Sequence, residues 1–157
     1  SDITPEGVSA YVRSAGKPPT WVYFWDNWYE GREFPRATAE WIRAGGSVPY
    51  VRLMLLSSPA IPRPDPVFSL VNILRGRFDA DLRRWMRAAR EFGSPLLAEY
   101  GTEMNGWWFP WNGRYNRQGG SYEDGVARFR GSLSLHGRRV LHLELGSLGT
   151  NSGLRNP

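Results

Sequence analysis

The sequence predicts an α/β domain built on a parallel sheet, and three observations carry that prediction. Helical patterns alternate with short apolar runs through the first hundred residues. The apolar runs, VPYVRLMLL above all, are near-continuous, the pattern of parallel strands buried on both faces. Helix starts and stops flank them in the expected order, with a hydroxyl or proline before and glycine after. At 157 residues the chain is long enough for one domain with a core, and too short for a closed eight-stranded α/β barrel.

Thr4 before Pro5 and Glu6 marks the first helix, with a hydroxyl cap, a proline in the first turn and an acid at the positive end of the dipole. Val8, Tyr11 and Val12 share one helical face, and Gly16 ends it. TWVYFW reads as a short buried strand that opens into the polar, aromatic loop DNWYEGREF. Pro35 starts the next helix through Ala37, Trp41 and Ile42, the Gly45-Gly46 pair closes it, and VPYVRLMLL follows as a strand. SSPAIPRPDP is a proline-rich loop, and VFSLVNILRG reads as a short helix within a long connection. Asp79 or Asp81 caps the third long pattern, in which Leu82, Trp85, Met86, Ala89 and Phe92 recur at helical spacing. Gly93 and Pro95 stop it, and PLLAEY is the next strand.

A hydrophobic content of 41% is that of a globular chain. No run reaches the roughly twenty apolar residues of a membrane span, and SDITPEGVSA lacks the basic start and apolar core of a signal peptide. Cysteine is absent, which excludes disulfides and thiolate chemistry. The net charge of +5 is spread among scattered basic residues, interleaved with acids in FDADLRRWMRAAREF, so a solvated helix face explains it better than a nucleic-acid surface. Metal-ligand clusters and phosphate-binding glycine spacings are lacking, so no cofactor is implied. The aromatic content is the informative excess: eight Trp, seven Tyr and seven Phe, none after Phe129.

Much of that excess sits in GTEMNGWWFPWNG and DNWYEGREF, both of which follow strands. In parallel sheets ligands bind at the carboxyl ends of the strands. Sugar rings need flat aromatic platforms and polar groups for their hydroxyls. Trp107, Trp108 and Trp111 are candidate platforms, Asn105 and Asn112 candidate amides, and Trp25, Asp26 and Trp28 candidates for the opposite wall. Glycosidic cleavage also needs a carboxylic acid on the leaving oxygen, and Glu103 stands among the tryptophans. The bland alternatives are a capping or ion-paired glutamate and a loop that packs its tryptophans as its own small core. Leu97, Glu99, Gly101 and Glu103 share one parity, which sets Glu99 and Glu103 on the same side.

GTEMNGWWFPWNG resembles the acid/base motif of glycoside hydrolase family 26, the β-mannanases and related β-glycanases, in which a His-Glu-Met-Asn-Gly run precedes tryptophans. TPEGVSAYVRSAGKPPTWVYFWDNW and FPRATAEWIRAGGSVPYVRLML are similar to that family's second and third βα units. The resemblance covers residues 2–130 and implies an incomplete (β/α)8 TIM barrel holding strands two to four. It implies a retaining hydrolase of β-linked polysaccharide, with Glu103 as general acid/base and Trp107 or Trp108 and Trp111 lining sugar subsites. It also implies an extracellular or periplasmic setting, and a nucleophilic glutamate on a seventh strand that would lie outside this chain. Glu144 is the only Asp or Glu after Arg130, and no motif places it in that role. Two departures stand out. Thr102 occupies the usual histidine position, and Glu99 that of an arginine. Arg52 on the neighbouring strand pairs with Glu99, either restoring an arginine–carboxylate contact with the roles exchanged or as an ordinary core ion pair.

Residues 131–157 do not continue the resemblance. A frame change near residue 130 in the encoding DNA accounts for the break; a divergent tail, with VLHLEL as a strand, is the alternative. Three strands of a barrel leave open edges and bare apolar faces, so the isolated chain is expected to be poorly soluble or to melt without a sharp transition. The second functional class kept open is a non-catalytic carbohydrate-binding protein using the same tryptophans.

Overall fold

The computed structural model describes residues 3–103, 106–112 and 115, together with the backbone of Leu141–Leu145. The order of elements is α1 (Pro5–Ala15), β1 (Trp21–Asn27), α2 (Arg36–Ala44), β2 (Val48–Met54), α3 (Leu70–Leu74), α4 (Asp79–Glu91), β3 (Leu96–Tyr100) and β4 (Leu141–Leu145). The fold is mixed α/β, and all described strand pairs are parallel: β1 beside β2, β2 beside β3, β3 beside β4. Among the described residues the sheet is open.

Local chemistry explains the first helix. The Thr4 hydroxyl accepts from the Gly7 amide, Pro5 stands in the first turn, and Gly16 closes the helix in the left-handed region at φ 72°. None of the residues of α1 is fully buried, and Tyr11 remains exposed. α2 begins after Pro35 and ends before Gly45. α4 differs from expectation, because Phe78 holds the cap position without a side-chain bond, and Asp79 and Asp81 lie inside the first turn. Asp81 is drawn away by Arg32, whose Nη1 lies 2.7 Å from its Oδ2, and by Arg84 on its own helix. Burial alone would raise the Asp81 pKa; hydrogen bonds and charge from the two arginines outweigh it and hold the carboxyl below its usual range.

The two faces of the sheet differ. Val22, Phe24 and Asp26 of β1, Val51 and Leu53 of β2, and Leu96, Ala98 and Tyr100 of β3 are buried, and they alternate with partners on the other face. On the buried side, Trp85 of α4 reaches Asp26, and Phe34 packs edge-on against Trp85 at 5.2 Å. Arg36 and Arg43 of α2 donate to the carbonyls of Ala88 and Phe92, which ties α2 to the end of α4. The opposite face corrects the expectation of strands buried on both sides. Trp21 and Trp25 are 54% and 50% exposed, and Tyr23, Tyr50, Arg52 and Leu97 are half-buried. This face mixes polar and aromatic groups with the aliphatic Val48 and Leu97, and its residues on β1, and on β2 up to Arg52, are partly open to solvent.

Leu141–Leu145 forms a strand, as alternation within VLHLEL allows, and extends the sheet beyond β3 with Glu144 at the register position beside Glu99. The remainder of the 131–157 segment, and with it the proposed break after residue 130, lies outside the described residues. Among the described residues no helix is long and apolar enough to cross a membrane.

Candidate functional site

Because β1, β2 and β3 are parallel, the loops after Asn27, Met54 and Tyr100 gather at one end of the sheet. The register sets Trp25, Arg52 and Glu99 in one row across the three strands, on the half-open face. Arg52 is the centre of this row. Its Nε lies 3.3 Å from Glu99 Oε2, its Nη1 lies 3.8 Å from Glu103 Oε1, and its Cζ stands 4.5 Å from the centre of the Tyr23 ring. The Tyr23 hydroxyl donates to the same Glu99 oxygen at 3.0 Å. Glu99 and Glu103 therefore do share a side, with the pairing of Arg52 and Glu99 anticipated from the departures in sequence. Tyr23 was not singled out there, although the alternation of WVYFW places it on the same face as Trp25.

Glu103 follows Gly101, and both have left-handed backbones, at φ 49° and φ 72°. For a residue with a Cβ that conformation is uncommon. Its carbonyl accepts from the Gly106 amide at 2.7 Å, and its side chain, about half exposed, accepts at Oε2 from Trp108 Nε1 at 2.8 Å. Gly106 is needed there because a Cβ would lie 2.5 Å from the Trp108 ring. Trp107 and Trp108 meet edge-on at 6.1 Å and are 58% and 44% exposed. A half-exposed carboxyl group oriented by an indole and an arginine, beside two open aromatic faces, can accept hydrogen bonds when ionised and, when protonated, donate a proton to an acceptor oxygen of a ring stacked there.

The other candidates divide. Trp25 is open, and it walls a cavity of about 490 Å³ at the ends of β1 and β2, together with Tyr23, Tyr29, Met54, Leu56 and Ile61. Trp111 is not a platform: it is buried, its indole donates to the Thr102 carbonyl at 2.7 Å, and it stacks on Phe109 at 4.4 Å. It forms the loop's own small core, and the buried Thr102 serves that loop through its carbonyl. Trp28 is likewise buried, edge-on to Phe68 at 5.8 Å, and cannot line a cleft. Asn105 lies outside the described residues, and Asn112 is half-buried.

Asp26 points to the helix-covered side, away from Trp25 and Arg52, which removes it from the row around Glu103. Burial pushes its carboxyl up to about 6, against the lowering effect of the Trp85 N–H, which donates at 2.8 Å, and of the nearby Trp28 indole. The Trp28 Nε1 itself falls short of hydrogen-bond geometry to any described partner. Since the folded pKa exceeds the unfolded one, the native state binds the extra proton, and stability falls as pH rises from about 4 to about 6. At about 1.4 kcal/mol per unit the loss is on the order of 3 kcal/mol. Asp26→Asn is therefore expected to raise stability at pH 7 by about 2 kcal/mol and to have little effect at pH 4, because the amide oxygen still accepts from Trp85. Urea unfolding at the two pH values checks this; equal effects at both would contradict it.

Two further groups at this end were hidden within the proline-rich loop. Asp65, 1% exposed, accepts from the Ser57 amide and hydroxyl and from the Val67 and Phe68 amides, at 2.8 to 3.0 Å. Arg63 reaches across to the next loop, with its Cζ 5.2 Å from the centre of the Trp107 ring. Among the described residues no group of three or more His, Cys, Asp and Glu side chains is placed to hold a metal ion. Compared with protein-family models and with curated proteins, the chain matches none.

Proposed function

We propose that this chain carries the acid/base side of a retaining glycoside hydrolase acting on a β-linked polysaccharide, on part of a (β/α)8 barrel. The observation that carries the reading is Glu103 itself, a carboxylate in a left-handed turn at the carboxyl end of the sheet, bonded by Trp108 and faced by Arg52 beside exposed Trp107 and Trp108. The resemblance of its loop to family 26 supports the same assignment. In this role Glu103 donates a proton to the leaving glycosidic oxygen and then takes one from the water that releases the sugar. Trp107 and Trp108 offer ring faces for stacking, and Trp25 offers a third on the far side of Arg52.

In a full-length parent that supplies the nucleophile, Glu103→Gln is expected to lower hydrolysis of β-mannan or a related β-glycan by about 10²- to 10⁴-fold, while oligosaccharide binding persists; the isolated chain, without the second carboxylate, is expected to bind and not to turn over. Initial rates and calorimetric binding on both proteins check this. Unchanged hydrolysis would remove Glu103 from the chemistry.

A second reading is a carbohydrate-binding protein without turnover. It is favoured by the state of the neighbouring carboxylate. A retaining mechanism needs two carboxyl groups about 5 Å apart, and Glu99 is buried and tied to Tyr23 and Arg52. Binding with no turnover in the full-length parent would select this reading.

A further inference from the structure

We propose that Arg63 makes the site selective for an acid-bearing glycan, one whose ring on the Trp107 platform carries a carboxylate, as in a uronic acid. This inference rests on the carbohydrate reading of the Glu103 loop and narrows its substrate class.

The contacts run in one line outward from the acid. Trp108 Nε1 lies 2.8 Å from Glu103, Trp107 meets Trp108 at 6.1 Å, and the Arg63 guanidinium stands 5.2 Å from the Trp107 ring centre. A full positive charge thus lies over one face of a partly exposed aromatic platform. Arg52 and Arg63 are not equivalent. Arg52 is shared between Glu99 and Glu103, whereas Arg63 has no carboxylate partner among the described residues.

The backbone on either side of Arg63 is also held in place. Two residues after it, Asp65 fastens the loop through four hydrogen bonds. Two residues before it, Ile61 is left-handed at φ 50°, which for a β-branched residue is a true outlier. Such strain persists only where surrounding contacts over-determine it. A braced guanidinium presents its planar fork of donors with less freedom to lose, and that fork matches a carboxylate. A neutral ring would be served by amides and hydroxyls and gains little from a unit charge. The acids Glu30 and Glu33 lie instead at the β1 side, lining a cavity with Trp25 and Asp26.

The test compares two ligands that differ only at C6, the β-1,4-linked tetramers of mannose and of mannuronate, by calorimetry and tryptophan fluorescence at low salt. The unmodified chain is expected to bind the mannuronate about ten-fold more tightly. Arg63→Gln should bring that ratio to about one while leaving the neutral tetramer within about two-fold, and Arg63→Lys should retain part of the preference. Equal or weaker binding of the acidic tetramer by the unmodified chain overturns the proposal. So does an equal loss for both ligands in Arg63→Gln, which would make Arg63 only a clip between two loops. Binding of neither tetramer overturns the carbohydrate reading as well.

Discussion

Arg52→Met is expected to destabilise the chain by about 3–5 kcal/mol, the range for breaking a buried ion pair from one side. The arginine lies between three groups on three segments: the Tyr23 ring on β1, the Glu99 carboxylate on β3 and the Glu103 carboxylate beyond it. Its side chain is 15% exposed and that of Glu99 only 7%. Methionine has similar length and fills much of the same volume, so the loss is electrostatic more than steric. Glu99 is then left in the interior with the Tyr23 hydroxyl donating to it. The double variant Arg52→Met, Glu99→Gln removes the unpaired charge and should recover a large part of the loss, which makes the pair a double-mutant cycle. Urea unfolding followed by tryptophan fluorescence reads all three proteins. A neutral Arg52→Met would show that the pair contributes nothing beyond the packing of its carbon atoms. It would also remove the case for exchanged arginine and carboxylate roles.

Asp65→Ala is expected to cost about 3 kcal/mol or more, and to open residues 57–68 to proteolysis well before the sheet unfolds. One carboxylate serves four donors there, three of them backbone amides. Alanine leaves those amides without an acceptor in a loop whose prolines can donate nothing in return. Asn72 gives partial support by donating to the Val67 carbonyl at 2.8 Å, and Arg77 in turn donates to Asn72. Asp65→Asn keeps one good acceptor and should show a smaller loss. Limited proteolysis with the cleavage sites mapped by mass checks the order of events. Cleavage that begins elsewhere, at an unchanged rate within 57–68, would show that the prolines alone hold the loop.

Where the governing chemistry is local, residue order was enough to read this fold. Thr4, Pro5 and Gly16 bound the first helix because a cap acts within one turn of its own position. The strand at Leu96–Tyr100 lies where glycine and proline end the helix before it. Residue order offers Asp79 or Asp81 as the cap of α4, whereas Phe78 holds that position and Asp81 is claimed by Arg32, far away in sequence. The tryptophans show the same divide within one loop. Trp107, Trp108 and Trp111 are alike in sequence, yet the Thr102 carbonyl and the Phe109 ring take Trp111 inward and leave the other two outside. Strand alternation already held the separation of Asp26 from Trp25, since neighbours on a strand face opposite ways. Arg63 and Asp65 had no such signal. In a proline-rich loop no period relates one residue to the next, and only the folded chain sets one on Trp107 and the other among amides.

The backbone at Glu103 sets the demands of folding against those of chemistry. At φ 49° a side chain is disfavoured relative to glycine by roughly 1–2 kcal/mol. Drift under selection for stability alone would therefore erase the glutamate, and a lineage that kept this turn but abandoned its ligand would be expected to show glycine or asparagine at the position. Position 103 thus works as a historical marker. The residue found there in descendants of this chain records whether the carboxylate was still in use.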